Sequence, residues 1–422
     1  MTTNPHHEIL LDLFKASVDA AMPATCLPPH LPEPPKGRTL VVGAGKAAAS
    51  MAKTVEEQWN TPLSGLVITR YDHGLPLNHI ELVEAAHPLP DDTGRQATRR
   101  IMEMAQGLEP EDMMLCLISG GGSALLALPA HGITLEDKQQ INKRLLRSGA
   151  AIGEMNCVRK HLSAVKGGRL ATAACPAQVV TLLLSDVPGD DPSVIASGPT
   201  VADPTTFADA LTVLRKYGIE EPKAVIQHLE RADDETPKPG DQRLERSSSV
   251  IVASAQDALE AAAVKARSLG YKPLILGDSF EGESRDLALE HAAITLQIAQ
   301  HGQPAKAPCV LLSGGETTVS VKGSGRGGRN TEFLLALAVA LEGHPRIHAI
   351  ACDTDGIDGT EENAGALLDP HSLTRAEALG LNATELLNDN NGYRFFSALD
   401  DLVVTGPTRT NVNDFRAILI DE

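Results

Sequence analysis

The chain has 422 residues, of which 42 % are hydrophobic and 3 % aromatic, and its formal net charge is −18. This length exceeds one typical hydrophobic core and indicates two or three domains. The scarcity of aromatic residues argues against ligand capture by stacking. The acidic balance argues against nucleic acid as a general partner, because phosphate contacts require clustered Lys and Arg.

The cysteines and histidines show no metal or disulfide pattern. Six cysteines are scattered without a C-x-x-C pair, and fourteen histidines lack a spacing such as H-E-x-x-H. We therefore expect reduced thiols, no zinc and a cytoplasmic protein. The segment MTTNPHHEILLDLFKASVDAA predicts an amphipathic helix rather than a signal peptide. No apolar run is long enough to span a bilayer, so we expect no membrane partner.

Strands and helices alternate through the first half of the chain. A β-rich run from Thr39 passes through glycines into an alanine-rich helix, and LSGLVITR is a second strand. A helix over 91–106 precedes the strand MMLCLISGGG, and a long helical region over 136–174 follows it. QVVTLLLSDVPGDD is a strand with an acidic exit, and DPTTFADALTVLRKYG is a helix.

A polar segment over 232–249, ADDETPKPGDQRLERSSS, predicts a linker or an exposed loop. We accordingly divide the chain into domains over 1–240 and 241–422. The alternation then restarts with SSVIVASAQDALEAAAVKARSLG and the strands YKPLILGD and APCVLLSGGETTVSV. The helix NTEFLLALAVALEG leads to the strand RIHAIACDTDGIDG, and DLVVTGPTRTNVNDFRAILI adds extended segments.

This alternation of apolar strands with helices predicts an α/β fold with parallel sheets covered on both faces. Ligands of such sheets bind beyond the carboxyl ends of the strands. LCLISGGGSALL and CVLLSGGETTVS repeat an apolar strand followed by Ser-Gly-Gly, one on each side of the polar segment. The repetition suggests two α/β domains whose strand ends face one cleft.

Two glycine turns are candidate anion sites. The turn at Gly43, Gly45 and Lys46 has the spacing G-x-G-x-x-A between a strand and a helix. Backbone N–H groups at a helix start, together with the lysine, would favour an anion; the alternative is a tight turn with a solvated lysine. The run over 119–123, Ser-Gly-Gly-Gly-Ser, suits a phosphate loop, or a βα turn that merely needs flexibility. The Walker pattern is absent.

Two strand exits carry clustered acids, LSDVPGDD at 184–191 and ACDTDGIDG at 351–359. Such carboxylates suit Mg²⁺ held partly through water, and one of them could accept a hydroxyl proton. The alternative is ordinary turn chemistry, since Asp-Gly is a frequent turn dipeptide. We predict Asp186 as a catalytic residue and Asp190, Asp353 and Asp355 as metal ligands.

The segment NCVRKHLSAVKGGRLA over 156–171 is rich in cations. A solvated basic helix face is the favoured interpretation of this segment. Lys160 is its candidate substrate ligand. Glycine cradles, isolated cations and acidic exits together are the components of phosphoryl transfer.

Several segments, in this order, resemble the glycerate 2-kinase family, whose C-terminal part is called the MOFRL domain. They include GAGKAAASMA, LISGGGSALL, LLLSDVPGDDPSVIASGPTVADPTT, GRGGRNTEFLLALA and ACDTDGIDGTEENAGA. The resemblance implies ATP-dependent phosphorylation of D-glycerate at its 2-hydroxyl, with Mg²⁺. It also implies a Rossmann-like N-terminal domain and a smaller α/β C-terminal MOFRL domain with the site in the cleft between them.

The resemblance further implies roles for individual residues. Lys46 and Arg329 would be catalytic, and Arg326 a neighbouring substrate ligand. The loop SVKGSGRGGRNTEF over 320–333 would close over the substrate or nucleotide anion, its glycines approaching the phosphate. The predicted nucleotide ligands are Gly43, Gly45, Ser119, Gly120, Gly121, Gly122, Ser123, Gly315 and Glu316.

Two other functions remain open at this point. Some members of the resembling family are labelled hydroxypyruvate reductase, and G-x-G-x-x-A with Arg70 would suit an NAD(P)H-dependent enzyme. That interpretation leaves the GRGGR loop and the acidic exits unused. The second alternative is a non-catalytic protein that binds an anion. Homo-oligomerisation, the metal-binding aspartates and a 2- or 3-phosphate product are not decided by the residues.

Overall fold

The computed structural model describes residues 4–422 and divides into two compact units. The N-terminal unit is Cys26–Val252, and the C-terminal unit combines the residues up to Thr25 with Ala253–Glu422. The first helix therefore groups with the C-terminal half of the chain. The sequence-based division after residue 240 did not anticipate this.

The strands, in chain order, are β1 (Thr39–Ala44), β2 (Leu63–Arg70), β3 (Ile80–Ala85), β4 (Met113–Ile118), β5 (Gln178–Leu184), β6 (Ser247–Ala253), β7 (Lys272–Glu283), β8 (Cys309–Thr318), β9 (Ile347–Asp353), β10 (Gly365–Leu368), β11 (Leu402–Val403) and β12 (Asp414–Ile420). The helices are α1 (Pro5–Ala21), α2 (Pro23–Cys26), α3 (Ala48–Gln58), α4 (Asp92–Gln106), α5 (Gly122–Leu125), α6 (Leu135–Arg147), α7 (Ile152–His161), α8 (Arg169–Ala174), α9 (Phe207–Lys216), α10 (Lys223–Arg231), α11 (Ala255–Ser268), α12 (Ser284–His301), α13 (Arg329–Leu341), α14 (Ser372–Ala378), α15 (Ala383–Asn388) and α16 (Gly392–Ala398).

The N-terminal unit is built on a six-stranded sheet of order β3-β2-β1-β4-β5-β6. The five strands from β3 to β5 pair in parallel, which confirms the predicted Rossmann-like sheet. Every residue of β1 and β4 is buried, as expected for central strands covered on both faces. Their core includes Ile101 of α4 and Leu170 of α8.

The strand order reverses between β1 and β4. From β1 the chain proceeds outward through β2 to β3, then crosses back to β4 on the other side of β1. Such a switch point opens a crevice beyond the carboxyl ends of the two strands, where ligands of doubly wound sheets bind. The turns after Ala44 and Ile118 border this crevice.

The C-terminal unit contains a second six-stranded sheet, of order β11-β10-β9-β12-β8-β7. β7 and β8 are parallel, but β12 runs antiparallel to both β8 and β9. This sheet is therefore mixed, and the expectation of a parallel sheet here was wrong. All seven residues of β12 are buried, and a strand buried on both faces has the same apolar composition in either direction.

Helix α1 packs against the second sheet through one apolar face. Leu10, Leu13 and Phe14 are buried in a cluster that includes Leu259 of α11 and Phe415 of β12. The amphipathic helix predicted at the N-terminus is confirmed. The polar segment before 250 leads into β6, which completes the first sheet. Among residues 4–422, no helix has both the length and the apolar character needed to cross a membrane.

Gly43 lies inside β1, where the sheet leaves no room for a side chain. A Cβ atom at this position would lie 2.2 Å from the carbonyl oxygen of Leu117 on the neighbouring strand. We expect Gly43→Ala to lower the free energy of unfolding by about 1–3 kcal/mol, because overpacking displaces β4. Urea denaturation measures the change.

The matched control is Gly153→Ala in α7, where no heavy atom lies within 4 Å of the added Cβ. This variant should be as stable as the wild type or slightly more stable, because Ala favours helix. Equal unfolding midpoints for Gly43→Ala and the wild type would contradict the packing role of Gly43.

Candidate active site at the sheet switch point

The two glycine turns that follow β1 and β4 are hydrogen-bonded to each other. The N–H of Lys46 donates to the carbonyl of Gly120 at 2.8 Å, and the N–H of Ala47 donates to Ser119 Oγ at 3.0 Å. Gly45 donates its N–H to Ile68 at 3.1 Å, which ties the turn to β2 as well. The crevice at the switch point is therefore bordered by one connected backbone structure.

The glycines in these turns are needed for different reasons. Gly45 has φ +142°, and a Cβ there would lie 2.1 Å from Ser119 Oγ. Gly121 has φ +80°, a left-handed conformation that favours glycine. Within residues 4–422, the N–H groups of Gly120 and Gly121 have no protein acceptor, so they are available to an anion. Gly43 differs, because its position inside the strand gives it a packing role.

A cavity of about 170 Å³ begins at the β4 turn. Gly121 and Ser123 form one wall, and α6 and α7 contribute polar side chains to the others. No Asp or Glu of the described chain lines the cavity. The lining residues include His87, Asn142, Lys138, Arg159 and Lys166.

Three cationic side chains point into this cavity. Lys138 is 9 % exposed and Lys166 is 2 % exposed, and neither forms an ion pair with another residue in 4–422. Lys166 donates from Nζ to the carbonyl of Ala196 at 3.1 Å. Arg159 donates from Nε to Asn142 Oδ1 at 2.8 Å. Arg159 and Lys166 are thus held by neutral oxygen atoms rather than by carboxylates.

The shared burial of these cations affects their ionisation. Burial, followed by the charges of Lys138 and Arg159, lowers the pKa of Lys166 well below its ordinary value. Burial, and then the charge of Arg159, lowers the pKa of Lys138 to about 8. Burial also lowers the pKa of Arg159. Burial thus weakens the protonated form of each group, and a bound negative charge would strengthen it again.

A strained segment supports the cavity wall. Ala196 and Ser197 have φ of +51° and +60°, and Gly198 follows at +59°. Ser197 Oγ lies 3.0 Å from Ser123 Oγ and donates to Asn156 Oδ1 at 3.2 Å. Left-handed non-glycine residues cost about 1–3 kcal/mol each and cluster at functional sites. In this left-handed conformation the Ala196 carbonyl accepts the hydrogen bond from Lys166 Nζ.

Lys46, predicted as catalytic, borders the cavity. A Cβ atom built on Gly121 would lie 3.5 Å from Lys46 Cγ and 3.1 Å from the His87 ring. Both side chains therefore lie over Gly121, which itself lines the cavity. Lys46 is half-buried.

Lys160, predicted as a substrate ligand, lies elsewhere. Its Nζ is 3.4 Å from Asp203 Oδ1, and both side chains are buried. Its neighbour Arg159 reaches the cavity instead, as does Lys166. The solvated basic face expected for this segment was therefore wrong for Arg159 and Lys166.

Sequence reasoning missed Lys138 entirely. A signal was present, because Lys138 stands three residues before Ile141 and seven before Leu145, which are both buried on α6. A lysine on the apolar face of a helix is unusual enough to mark a site.

Asp186, predicted as catalytic, and Asp190, predicted as a metal ligand, lie in the loop that follows β5. Both side chains are half-buried.

In the C-terminal unit, Arg329 begins α13 and binds three carboxylates. Its Nε donates to Asp414 at 2.7 Å, its Nη2 to Asp353 at 2.7 Å and its Nη1 to Glu316 at 2.9 Å. Although burial lowers it, the charges of these carboxylates raise the pKa of Arg329 well above its ordinary value. Arg329 is thus a fixed cation, and only Glu316 among its partners is about half exposed.

The glycines of the GRGGR loop allow close packing against a neighbouring segment. A Cβ on Gly323 would lie 2.3 Å from the carbonyl of Asp389, and one on Gly325 would lie 2.4 Å from Asn391 Cβ. These contacts account for the glycines without a phosphate. Arg326 pairs with Glu361 at 2.9 Å and lies 5.0 Å from the centre of the Tyr393 ring.

The acidic side chains at the end of β9 and in the turn after it form structural contacts. Asp353 binds Arg329, and Asp355 accepts the N–H of Ile357 at 2.9 Å. Asp358 accepts the N–H groups of Asn330 and Thr331 at 2.9 Å and so caps α13. Burial raises the pKa of Asp358.

Gly315, predicted as a nucleotide ligand, lies inside β8, where a Cβ would lie 2.3 Å from the Phe280 backbone. Within residues 4–422, one group of three side chains could hold a metal ion, namely His6, His348 and Asp421. This group includes none of the predicted metal ligands. His348 is near the start of β9 and Asp421 just after β12, at the opposite edge of the sheet from Asp353.

The ion pairs of Arg329 predict that its substitution lowers the stability of the protein. We expect Arg329→Gln to lower the free energy of unfolding by about 3–5 kcal/mol, because it removes the guanidinium that binds buried Asp353 and Asp414, of which Asp414 keeps Arg416. Arg100→Gln is the control, since Arg100 and its partner Glu81 are both about half exposed, and it should change the thermal midpoint little. Similar midpoints for the two variants would contradict this assignment.

Family models match the chain in two parts. Residues 9–230 match the model described as a domain of unknown function, DUF4147, and residues 309–414 match the MOFRL family. The two matches flank β6 and the region that follows it.

Relatives of similar length carry two kinds of name. A protein of Agrobacterium vitis named "Putative hydroxypyruvate reductase" is 53 % identical over 98 % of this chain and 94 % of its own length. The D-glycerate 2-kinase of Thermotoga maritima is 39 % identical over 96 % of each chain. Human glycerate kinase is 35 % identical over 97 % of this chain and 92 % of its own length.

A solved structure agrees with these matches. The crystal structure of glycerate kinase from Thermotoga maritima has a TM-score of 0.90 at 39 % identity, covering 99 % of both chains. With the DUF4147 and MOFRL matches, this similarity shows that the chain belongs to the glycerate 2-kinase family.

Proposed function

We propose that this enzyme transfers the γ-phosphoryl group of ATP to the 2-hydroxyl of D-glycerate, giving 2-phospho-D-glycerate. The observation that carries the proposal is the cation-lined cavity beside Lys46 at the switch point of the sheet. A site of this kind attracts a small anion and faces the place where a doubly wound sheet binds its ligands. The glycerate kinase names of the relatives support the same substrate.

The size of the cavity favours the acid over the nucleotide. Its volume is about 170 Å³. Pockets that bury drug-sized molecules measure about 300–1,000 Å³, so ATP would not fit inside. A three-carbon acid would fit. We propose that the nucleotide lies outside the cavity, with its phosphates toward the N–H groups of Gly120 and Gly121.

The β5 exit offers ligands that fit Mg²⁺. This ion usually binds one or two carboxylates together with substrate phosphates and water. Asp190 is a half-buried carboxylate in the loop at the carboxyl edge of the sheet, which suits that mode of binding. When bound, Mg²⁺ would neutralise charge on the phosphate oxygens. Asp353 and Asp355 fit less well, because both are held in contacts of their own unit.

Lys46 and Asp186 are the proposed catalytic groups of the N-terminal unit. Lys46 stands where the turn is fixed to the β4 loop, and it would stabilise the negative charge on the oxygens of the transferring phosphoryl group. Asp186 would accept the proton of the attacking 2-hydroxyl.

Arg329 is the proposed contribution of the C-terminal unit. Its contact with the half-exposed Glu316 is the one that a phosphate oxygen could replace. The remaining bonds to Asp353 and Asp414 would keep the guanidinium oriented. Arg326 is exposed and would be a secondary ligand. The substrates and six free thiols suit a cytoplasmic enzyme.

A reductase is the weaker candidate. A dinucleotide-binding turn presents its N–H groups to a pyrophosphate. In this chain the N–H groups of Lys46 and Ala47 already donate to Gly120 and Ser119. The G-x-G-x-x-A spacing therefore does not create a free pyrophosphate cradle.

An assay of the purified protein tests the reaction. We expect ADP release from ATP and Mg²⁺ that depends on D-glycerate, and a single product whose phosphorus NMR spectrum matches 2-phosphoglycerate. Hydroxypyruvate with NADH or NADPH should give no absorbance change. Hydroxypyruvate reduction without glycerate-dependent ADP release would contradict the kinase.

The role of Lys46 is tested by Lys46→Met. We expect kcat to fall by about 10²–10³-fold, because the charge that stabilises the transferring group is lost. Lys53→Met on the adjoining helix α3 is the control, since Lys53 pairs with Glu57 and should leave kcat unchanged. An active Lys46→Met enzyme would exclude Lys46 from catalysis.

A further inference from the structure

We infer that the 170 Å³ cavity is the carboxylate pocket of the acceptor substrate, in which Lys138, Arg159 and Lys166 select a small hydroxy acid over neutral polyols. The identity of the acid rests on the proposed function. The assignment of the pocket rests on burial, hydrogen bonding and volume.

Burial of unpaired cations is the first argument. Lys138 is more than nine-tenths buried, and within residues 4–422 its ammonium has neither a carboxylate nor a hydrogen-bond acceptor. Buried charges in proteins are normally paired, because desolvation without a partner costs several kcal/mol. A group of this kind is retained where a ligand supplies the missing charge.

The position of Arg159 is the second argument. Asn142 accepts from its Nε at 2.8 Å, and Asn156 accepts from its Nη1 at 3.4 Å. These amides orient the guanidinium without neutralising it. Its Nη2 makes no hydrogen bond within residues 4–422. An oriented guanidinium with a donor to spare is suited to a carboxylate oxygen.

The arrangement of the cavity gives the substrate an orientation. The cations lie on α6, α7 and the segment that follows α7, whereas Gly121 and Ser123 of the β4 turn also line the cavity. Lys46 lies over Gly121. In the proposed orientation the carboxylate contacts the cations and the hydroxyl groups of the acid face Gly121 and Lys46.

Ionisation supplies an independent readout. The charged or titratable groups that face one another across the cavity are Lys138, Arg159, Lys166 and His87. A bound carboxylate would raise the depressed pKa values of the two lysines. Binding at pH 8 should therefore take up protons, which titration calorimetry detects by comparing buffers with different ionisation enthalpies.

The experiment is calorimetry of D-glycerate with the full-length protein in the absence of nucleotide. We expect the wild type to bind D-glycerate with proton uptake and to bind neutral D-glyceramide and glycerol at least about tenfold more weakly. Lys138→Met and Arg159→Gln should raise the Kd for D-glycerate at least about tenfold. Lys138→Met should also reduce the proton uptake.

Matched controls come from the exposed face of the same helix. Lys143→Met and Arg144→Gln remove exposed cations of α6 and should bind D-glycerate as the wild type does. Loss of folding is tested separately, and we expect Lys138→Met to unfold at a higher temperature than the wild type, because it removes an unpaired buried charge. Circular dichroism measures this transition.

Two results would overturn the inference. One is an unchanged Kd for D-glycerate in both pocket variants. The other is weakened binding of an ATP analogue with unaltered binding of D-glycerate, which would make the cavity a phosphate site. Failure of the proposed function is distinguishable: a wild type that binds D-glycerate through these residues but releases no ADP would retain the pocket and lose the kinase.

Discussion

Unpaired positive charge inside the N-terminal unit is the constraint on which the proposed site depends. Lys138 and Lys166 are buried next to Arg159, and no carboxylate lines their cavity in the described chain. Neutral oxygens hold Arg159 and Lys166 in place, and the oxygen that binds Lys166 belongs to a strained backbone segment. The arrangement opposes stability and favours binding, as expected where selection acts on function. The opposite holds for Arg329, whose positive charge is paired with three carboxylates.

The fold determines where this charge can act. β1 and β4 are adjacent parallel strands whose turns are joined by hydrogen bonds, so Lys46 is fixed beside the glycines that line the cavity. β2 and β4 lie on opposite sides of β1, and the chain crosses over from β3 to β4, which opens the crevice. Topology thus brings together a lysine at position 46 and cations that follow it by about a hundred residues in sequence.

Sequence patterns within one segment predicted the features that depend on neighbouring residues in the chain. The parallel sheet and the amphipathic helix α1 could be read from apolar periodicity, and Lys46 from the strand–turn–helix context. The direction of β12 could not, because a strand buried on both faces has no directional signature. The partners of Arg329 could not either, since Asp414 lies 85 residues away. The packing contacts of the glycines in the GRGGR loop could not be predicted, because packing and phosphate binding require the same small residue.

The proposed site requires that the cavity bounded by Lys138, Arg159 and Lys166 holds the carboxylate of the acceptor. A crystal structure with D-glycerate would locate the bound acid. We predict density for the acid in this cavity, with a carboxylate oxygen within hydrogen-bonding distance of Arg159 and the 2-hydroxyl toward Lys46. Glycerate bound elsewhere, with only water among the three cations, would rule out this carboxylate pocket.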